Sequence, residues 1–415
     1  MPWLKCVDIH GESLFGAKST RAQQAAYFLR EGKPMLVSNF NWGGKRVLVT
    51  GGSGFKGAYM CAATLGLGSR VYATCRNHID PASSFSLLGM DAAVTPVSLD
   101  ITDRQAVYDM INTVEPDVII HLAAKAIVPV GLRDPRRTLD VNIMGTLNLI
   151  EACRRLHLCN RILVCSTDHV FGNVKPDKLP PKGFDESARV SYGGPYDTSK
   201  AAMELVVRMY HSTYRRELPA IAITRCANVF GFGDTGPRRV IPLFVTTAKA
   251  GTIPLKYRLN GRQFIYITDA IAGYIRAVSS LPDAHTADFP DGAEAKSPFT
   301  PTFHFAIERY PGTDNPYVRM EALAQLVTER VGGRVDETNC VDYAEGENRV
   351  QALDCSTTRL GLSWAPQVPI EEGIDKLNSW YASVGDEARL TGLIRSEIGA
   401  IISSLGQTVM PAAKA

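Results

Sequence analysis

No stretch of 18 apolar residues occurs in the 415-residue chain, which excludes a membrane-spanning helix. The opening residues, Met1 to Cys6, lack the apolar core of a signal peptide, so no export is expected. The nine cysteines are odd in number and never stand as Cys-x-x-Cys, the pattern of reduced thiols in a cytoplasm. None of the eight histidines sits at metal-ligand spacing from another histidine or a cysteine, so no metal is expected. An excess of one charge is also missing. The 45 basic and 42 acidic residues leave +3, interspersed, which argues against a nucleic-acid binder relying on phosphate contacts. What is there is 45% apolar residues, enough to bury a sizeable core and to form two lobes. The expectation is a soluble cytoplasmic enzyme.

Repeats and low-complexity tracts are absent. Residues 1–44 carry only an apolar-spaced stretch from Ala22 to Leu29, read as one helix in an N-terminal extension. From Lys45 the text changes. β-branched runs end at Thr50, Cys75, Asp100, Ala123, Thr167 and Ala227, and helical patterns lie between them. One of these, Asp103 to Val114, opens on a Thr102…Gln105 capping box. Near-continuous apolar strands alternating with helices predict an α/β fold, a doubly wound parallel sheet covered on both faces. It spans 45–227 as a dinucleotide-binding domain. A smaller C-terminal α/β lobe, interleaved with it, spans 228–383, and a tail helix falls within 384–415. Pro, Gly and Asp cluster between Leu281 and Pro301, where a loop is expected; helices resume at Met320–Val331 and Ile370–Tyr381. The tail's apolar spacing, from Leu393 to Leu405, suits a helix docked on the body or on a partner subunit.

Thr50-Gly51-Gly52-Ser53-Gly54-Phe55-Lys56-Gly57 follows the first strand and opens a helix, the context that makes a glycine pattern a dinucleotide loop. Gly51 permits the tight turn, Gly54 lets backbone approach a pyrophosphate, and Gly57 lets helix pack on strand. The helix N-terminus then faces the phosphates. After the second strand, an acid would hold the ribose 2′-hydroxyl of NAD, and an arginine would pair with the 2′-phosphate of NADP. The chain has Arg76 and no acid before Asp80, which favours NADP. Farther on, Tyr196-Asp197-Thr198-Ser199-Lys200 places a phenol and an ammonium one helical turn apart on one face. Together with the cofactor's positive ring, that ammonium is expected to lower the tyrosine pKa and make it a base near neutral pH.

The glycine loop, Asp100-Ile101, His121-Leu122-Ala123-Ala124, Asn142…Gly145-Thr146, Ser166-Thr167 and Tyr196…Lys200 together resemble the extended short-chain dehydrogenase/reductase family, nucleotide-sugar branch. Asn228-Val229-Phe230-Gly231 and Arg262 to Asp269 continue the resemblance, which covers 45 to about 381. It implies a dinucleotide held by Gly51, Ser53, Gly54, Phe55, Gly57, Arg76, Asp100, Ile101, Leu122, Ala123, Ala124, Asn142, Tyr196 and Lys200. It also implies a nucleotide-diphosphate sugar whose diphosphate meets Asn228 and Arg262, a guanidinium being suited to bidentate bonding. Relatives pair the helices around Thr138–Leu156 and Thr198–Arg215 across a two-fold, so a homodimer is expected.

Within the family, three details look like CDP-glucose 4,6-dehydratases: Phe55-Lys56-Gly57, Leu353-Asp354-Cys355-Ser356 ahead of Leu360-Gly361…Trp364-Ala365-Pro366, and Thr167-Asp168 followed by a titratable residue. The resemblance implies oxidation at carbon 4 of the sugar, elimination of water across carbons 5 and 6, and hydride return to carbon 6. Tyr196 is then the base at the hydroxyl, Lys200 its tuner, Thr167 the polarising hydroxyl and Asp168 the acid. Where relatives have Glu or Lys as the carbon-5 base, this chain has His169, and an imidazole can serve as a base near neutral pH. Dehydratases regenerate their dinucleotide each turnover and tend to retain it. The same scaffold also carries 4-epimerases, decarboxylases and reductases, and a non-catalytic NAD(P)-binding module is the alternative from a different class.

Overall fold

The run Arg46–Thr50 forms strand β1, and the glycines after it end the strand and release the chain into helix α1 (Phe55–Gly66). The computed structural model describes residues 40–75, 79–236, 239–282, 300–343 and 348–406, and the strand–helix pattern repeats through it. Strands β2 (Arg70–Cys75), β3 (Thr95–Ser98), β4 (Val118–His121), β5 (Arg161–Cys165) and β6 (Ala220–Cys226) alternate with helices α2 (Arg104–Val114), α3 (Gly145–Leu156) and α4 (Pro195–Thr213). A seventh strand, β7 (Thr302–Phe305), arrives from far along the chain, preceded by α5 (Ile267–Ser279). All seven pair in parallel in the order β7-β6-β5-β4-β1-β2-β3. This is the doubly wound α/β fold expected from the alternation. The Ala22–Leu29 helix and most of the Leu281–Pro301 segment lie outside the described residues.

Strand residues alternate between the two faces, so each strand feeds two cores. Val47, Val49, Val118, Ile120 and Leu163 face α1 and α5 on one side. Leu48, Ile119, Ile162, Val164 and Ile223 face α2, α3 and α4 on the other. His121 closes β4 as a buried tie. Its Nδ1 lies 2.7 Å from Thr50 Oγ1 and its Nε2 2.9 Å from Thr146 Oγ1, and burial takes its pKa down to about 3. The smaller lobe holds three short strand pairs and the helices Val240–Lys249, Met320–Val331 and Ile370–Ala382. The tail forms α6 (Glu387–Ser404). It docks on the body of its own chain: Ile394, Ile401 and Ile402 are buried, and a Cβ on Gly66 of α1 would stand 2.5 Å from Ile402 Cδ1. Each of those isoleucines contributes roughly 1.5–3 kcal/mol of burial.

Helix α2 corrects one local expectation. Its cap is Asp103, whose Oδ1 accepts from Ala106 N at 3.0 Å, not Thr102. The Thr102 hydroxyl is already spent on Asp100 Oδ1 at 2.8 Å, in a turn that Asp100 closes by accepting the Thr102 N–H. Gln105 turns forward instead, to Asp109.

A buried ion pair fixes α4 to the sheet. Arg225 of β6 donates from Nε to Glu204 Oε1 at 3.0 Å and from Nη2 to Oε2 at 2.7 Å, with both side chains almost unexposed. Burial alone would raise the Glu204 carboxyl, but the charge and hydrogen bonds of Arg225 overcome it and bring it down to about 2. Arg225 Nη1 also lies 3.3 Å from His304 Nε2 on β7, so the guanidinium links three elements. Removing one member of such a pair strands the other charge in the interior, a loss of about 3–5 kcal/mol. Glu204→Gln is therefore expected to lower unfolding free energy by about that amount in urea titrations at neutral pH. A carboxyl depressed by folding stabilises above its ordinary pKa and ceases to as pH falls through its folded value, so the gap between wild type and variant should close towards about pH 2. A neutral-pH loss below about 1 kcal/mol would remove the pair from this role.

Candidate active site

The cleft begins where β1 ends. Gly51 has φ +67°, and a Cβ there would stand 2.9 Å from Ala123 N, so the turn admits only glycine. At Gly57 a Cβ would lie 2.2 Å from Gly51 O, which forces α1 to start directly against the loop. Thr74 at the end of β2 steadies the turn by accepting from Gly51 N at 2.9 Å. The N-terminus of α1 thereby opens on a cleft of about 280 Å³. Of the residues expected from sequence, Gly51, Ser53, Gly54, Asp100, Ile101, Leu122, Ala123 and Ala124 line it. Thr74, Leu99, Lys125 and Val141 line it too and were not foreseen. They sit at carboxyl ends of strands or beside expected residues, the place where open sheets bind ligands. Phe55 and Gly57 belong to α1 behind the loop. Asn142 acts from a wide π turn (Asp140–Met144), accepting from Lys125 N at 2.8 Å and donating to Ser199 Oγ at 2.8 Å. Arg76 lies outside the described residues. The crowded glycines, the exposed helix N-terminus and the apolar walls suit an extended dinucleotide.

β5, the neighbour of β4 in the sheet, runs into Ser166 and Thr167 and then a tight 3-10 turn, Asp168–Phe171. Thr167 nucleates that turn: its Oγ1 donates to Asp168 Oδ1 at 3.0 Å and accepts from His169 N at 3.3 Å. The turn ends the strand's alternation, so two successive side chains meet α4. Asp168 is buried, and its Oδ2 has no hydrogen-bond partner among the described residues. His169 lies edge-on to the Tyr196 ring, centroids 5.5 Å apart, and its Nδ1 is 2.8 Å from Asp197 Oδ1. Pro195 starts α4, whose buried face carries Tyr196, Lys200 and Glu204 at successive turns.

The electrostatics separate these groups. Burial pushes the Tyr196 phenol up; the Thr167 hydroxyl opposes this, while the carboxylates of Asp168 and Asp197 add to it. The expected lowering by Lys200 is therefore not a property of the protein groups alone. The reason is where the ammonium points: Lys200 Nζ donates to Cys165 O at the end of β5 and lies 3.3 Å from Met203 Sδ. Burial takes Lys200 down to about 8, Cys165 opposing and the Lys56 charge assisting. Burial raises the Asp168 carboxyl against the lowering pull of His169, Thr167 and Arg262.

Arg262, buried, is held by backbone carbonyls of Gly261 at 2.9 Å and Arg349 at 3.3 Å, and its charge reaches Asp168. Asn228, half-buried, donates to Gln263 O at 3.1 Å. Asp197 and Asn348 also belong to the cluster, and sequence reading passed over both. Asp197 stood as an unassigned position between Tyr196 and Lys200, while Asn348 comes from far along the chain. Among the described residues, no group of three or more His, Cys, Asp or Glu could hold a metal. No helix among them is long and apolar enough to cross a membrane.

Comparison with known proteins agrees with the fold. The family described as the NAD dependent epimerase/dehydratase family matches residues 47–287. The chain is 23% identical to the CDP-glucose 4,6-dehydratase of Salmonella typhimurium over 84% of its own length and 93% of the relative's. It is 28% identical to the dTDP-glucose 4,6-dehydratase of Mycolicibacterium smegmatis, covering 81% and 93%. In fold it resembles the dTDP-glucose 4,6-dehydratase of Streptomyces venezuelae solved with NAD, with TM-score 0.66, 23% identity and coverage of 84% and 99%. The UDP-glucose 4-epimerase of Thermus thermophilus, also solved with NAD, is as similar, with TM-score 0.64, 22% identity and coverage of 82% and 99%.

The buried ammonium gives a direct check. In side-chain NMR titration of the protein, Lys200 is expected to lose its proton near pH 8, and Lys56→Gln should move that midpoint upward by removing a neighbouring positive charge. A Lys200 midpoint at the ordinary lysine value would contradict the burial described above.

Proposed function

This chain belongs to the NAD dependent epimerase/dehydratase family, and we propose that within it the chain is a nucleotide-sugar 4,6-dehydratase acting on a CDP-glucose-like NDP-hexose. The observation that carries the reading is the Asp168–His169 turn packed against Tyr196: a second acid–base pair beside the phenol. Oxidation at carbon 4 needs only Tyr196, Lys200 and Thr167. Elimination needs one group to take the carbon-5 proton and another to protonate the departing carbon-6 hydroxyl.

Bound in the cleft, a nicotinamide dinucleotide supplies the hydride acceptor and donor. Tyr196 takes the carbon-4 hydroxyl proton. Since burial holds the phenol high, it needs positive charge near it, and Lys200 one turn along α4 would supply it by turning its ammonium from Cys165 O towards the phenol. Thr167 turns its hydroxyl from Asp168 Oδ1 to donate to the developing carbonyl oxygen. His169 then removes the carbon-5 proton, the bond's electron pair enters the sugar, and Asp168 gives its proton to the carbon-6 hydroxyl, which leaves as water. Asp168 is suited to the task because burial raises its carboxyl above the usual aspartate value. Arg262 and Asn228 meet the diphosphate of the substrate. The dinucleotide is NAD or NADP, retained because the net reaction consumes no reductant; Arg76 is the residue that would favour NADP.

A 4-epimerase is the second reading, favoured by the equal likeness in fold to UDP-glucose 4-epimerases. It leaves Asp168 and His169 without a task. The test is turnover of CDP-glucose in deuterated water: label should enter carbon 5. His169→Asn should still oxidise carbon 4, seen as reduced dinucleotide accumulating, while carbon-5 exchange falls about 10²–10⁴-fold. Inversion at carbon 4 with no label at carbon 5 would replace the dehydratase by the epimerase.

The chain is also proposed to act as a homodimer. Leu205 and Met209 on α4 are exposed one turn apart, and Leu139 and Met144 are exposed on the adjoining helical segment, an apolar surface that a second copy would cover. Sedimentation should show a dimer, and Leu205→Asp with Met209→Asp should yield monomer. An apolar surface that stays monomeric in the wild type would refute it.

A further inference from the structure

Asp197 is an acid in the first turn of α4, 5% exposed, and both of its oxygens are engaged. Oδ1 stands 2.8 Å from His169 Nδ1, and Oδ2 accepts from Asn348 Nδ2 at 3.1 Å. Gly193 makes room for this carboxylate, since a Cβ there would lie 2.5 Å from Asp197 Oδ2. Asn348 is itself buried, and the backbone beside it is tied to the turn that carries His169: Arg349 N donates to Asn173 Oδ1 at 3.0 Å, and Val350 bridges to Val174.

The hydrogen-bond chemistry of the cluster has one consistent solution. A carboxylate only accepts, so the short contact requires the proton to be on His169 Nδ1. Asn348 Nδ2 also lies 3.3 Å from that nitrogen, but a nitrogen that donates cannot accept from the amide in its ring plane. The amide proton therefore goes to Asp197 Oδ2. With Nδ1 protonated, the lone pair of the neutral imidazole is on Nε2.

Resting on the dehydratase reading, we infer that Asp197 and Asn348 are positioning residues that hold His169 as its Nδ1–H tautomer, so that Nε2 is the atom that takes the carbon-5 proton. When Nε2 gains that proton, the imidazolium charge forms against the Asp197 carboxylate, and no further group has to move. Asn348 fixes which oxygen of Asp197 is left for the ring. The C-terminal segment thereby selects a protonation state in the dinucleotide-binding lobe.

Substitution separates this from a merely structural role. In Asp197→Asn, the introduced carbonyl is drawn to the Asn348 amide, which turns the introduced NH₂ towards His169 Nδ1 and places the ring proton on Nε2. Exchanging the pair, Asp197→Asn with Asn348→Asp, restores an acceptor for Nδ1–H at unchanged total charge. Nitrogen NMR of the imidazoles, at a pH where they are neutral and with His169 assigned by its loss in His169→Gln, reads the tautomer without turnover. The expected result is Nδ1–H in the wild type, Nε2–H in Asp197→Asn and Nδ1–H again in the exchanged pair. In turnover, Asp197→Asn should cut carbon-5 exchange on the order of 10²–10⁴-fold while carbon-4 oxidation persists, and the exchanged pair should recover at least about tenfold. An Nε2–H imidazole in the wild type overturns the inference, as does equal loss of both chemical steps or a swap that recovers neither tautomer nor exchange. Wild-type enzyme that has the Nδ1–H tautomer but never labels carbon 5 instead ends the dehydratase reading, and with it the base role of Nε2.

Discussion

The site depends on a buried ion pair that takes no part in its chemistry. Glu204 and Arg225 are two unexposed charges, and their bidentate contact fixes the rotation and height of α4 against β6. Tyr196 and Lys200 precede Glu204 by two turns and one turn on the same helical face, so their aim at the end of β5 is set by that contact. Exchange of the pair for apolar residues could hold the helix as firmly. It would not specify which rotation of α4 is adopted, and a rotation by one residue would bring Pro195 or Asp197 to where Tyr196 stands.

Much of this arrangement is legible in the sequence because it is local. The strand runs, the glycine turn and the Tyr-x-x-x-Lys spacing each lie within one element and its neighbour, where periodicity and backbone conformation decide. The misreadings arose where a side chain had a competing partner. Thr102 lost its capping role to Asp100, and Lys200 turned its ammonium to the carbonyl of Cys165 rather than towards the phenol. Least legible of all was the Asp197–His169–Asn348 cluster. His169 and Asn348 are 179 residues apart, and no spacing rule reaches that far.

The groups proposed for catalysis are differentiated by surroundings more than by residue type. Asp168 and Asp197 are both buried aspartates, and the charge of each acts on the same tyrosine. One keeps an oxygen without a partner and is raised by burial; the other has both oxygens filled by donors. On the proposed reading, that contrast assigns one carboxyl as the acid while the other stays an acceptor. The division is made by the tight turn after β5 and by the segment that carries Asn348, and both lie outside the strands of the seven-stranded sheet.

The origin of β7 bears on how the chain is made. Thr302–Phe305 pairs with β6, and His304 comes to lie opposite Arg225 in register. A ribosome extending this chain must therefore release some three hundred residues before the open edge of β6 is covered and the Arg225 guanidinium meets its last neighbour. Until then the nascent chain presents β6 as an unpaired strand edge, a template for strands of other chains while the remainder of the protein is synthesised.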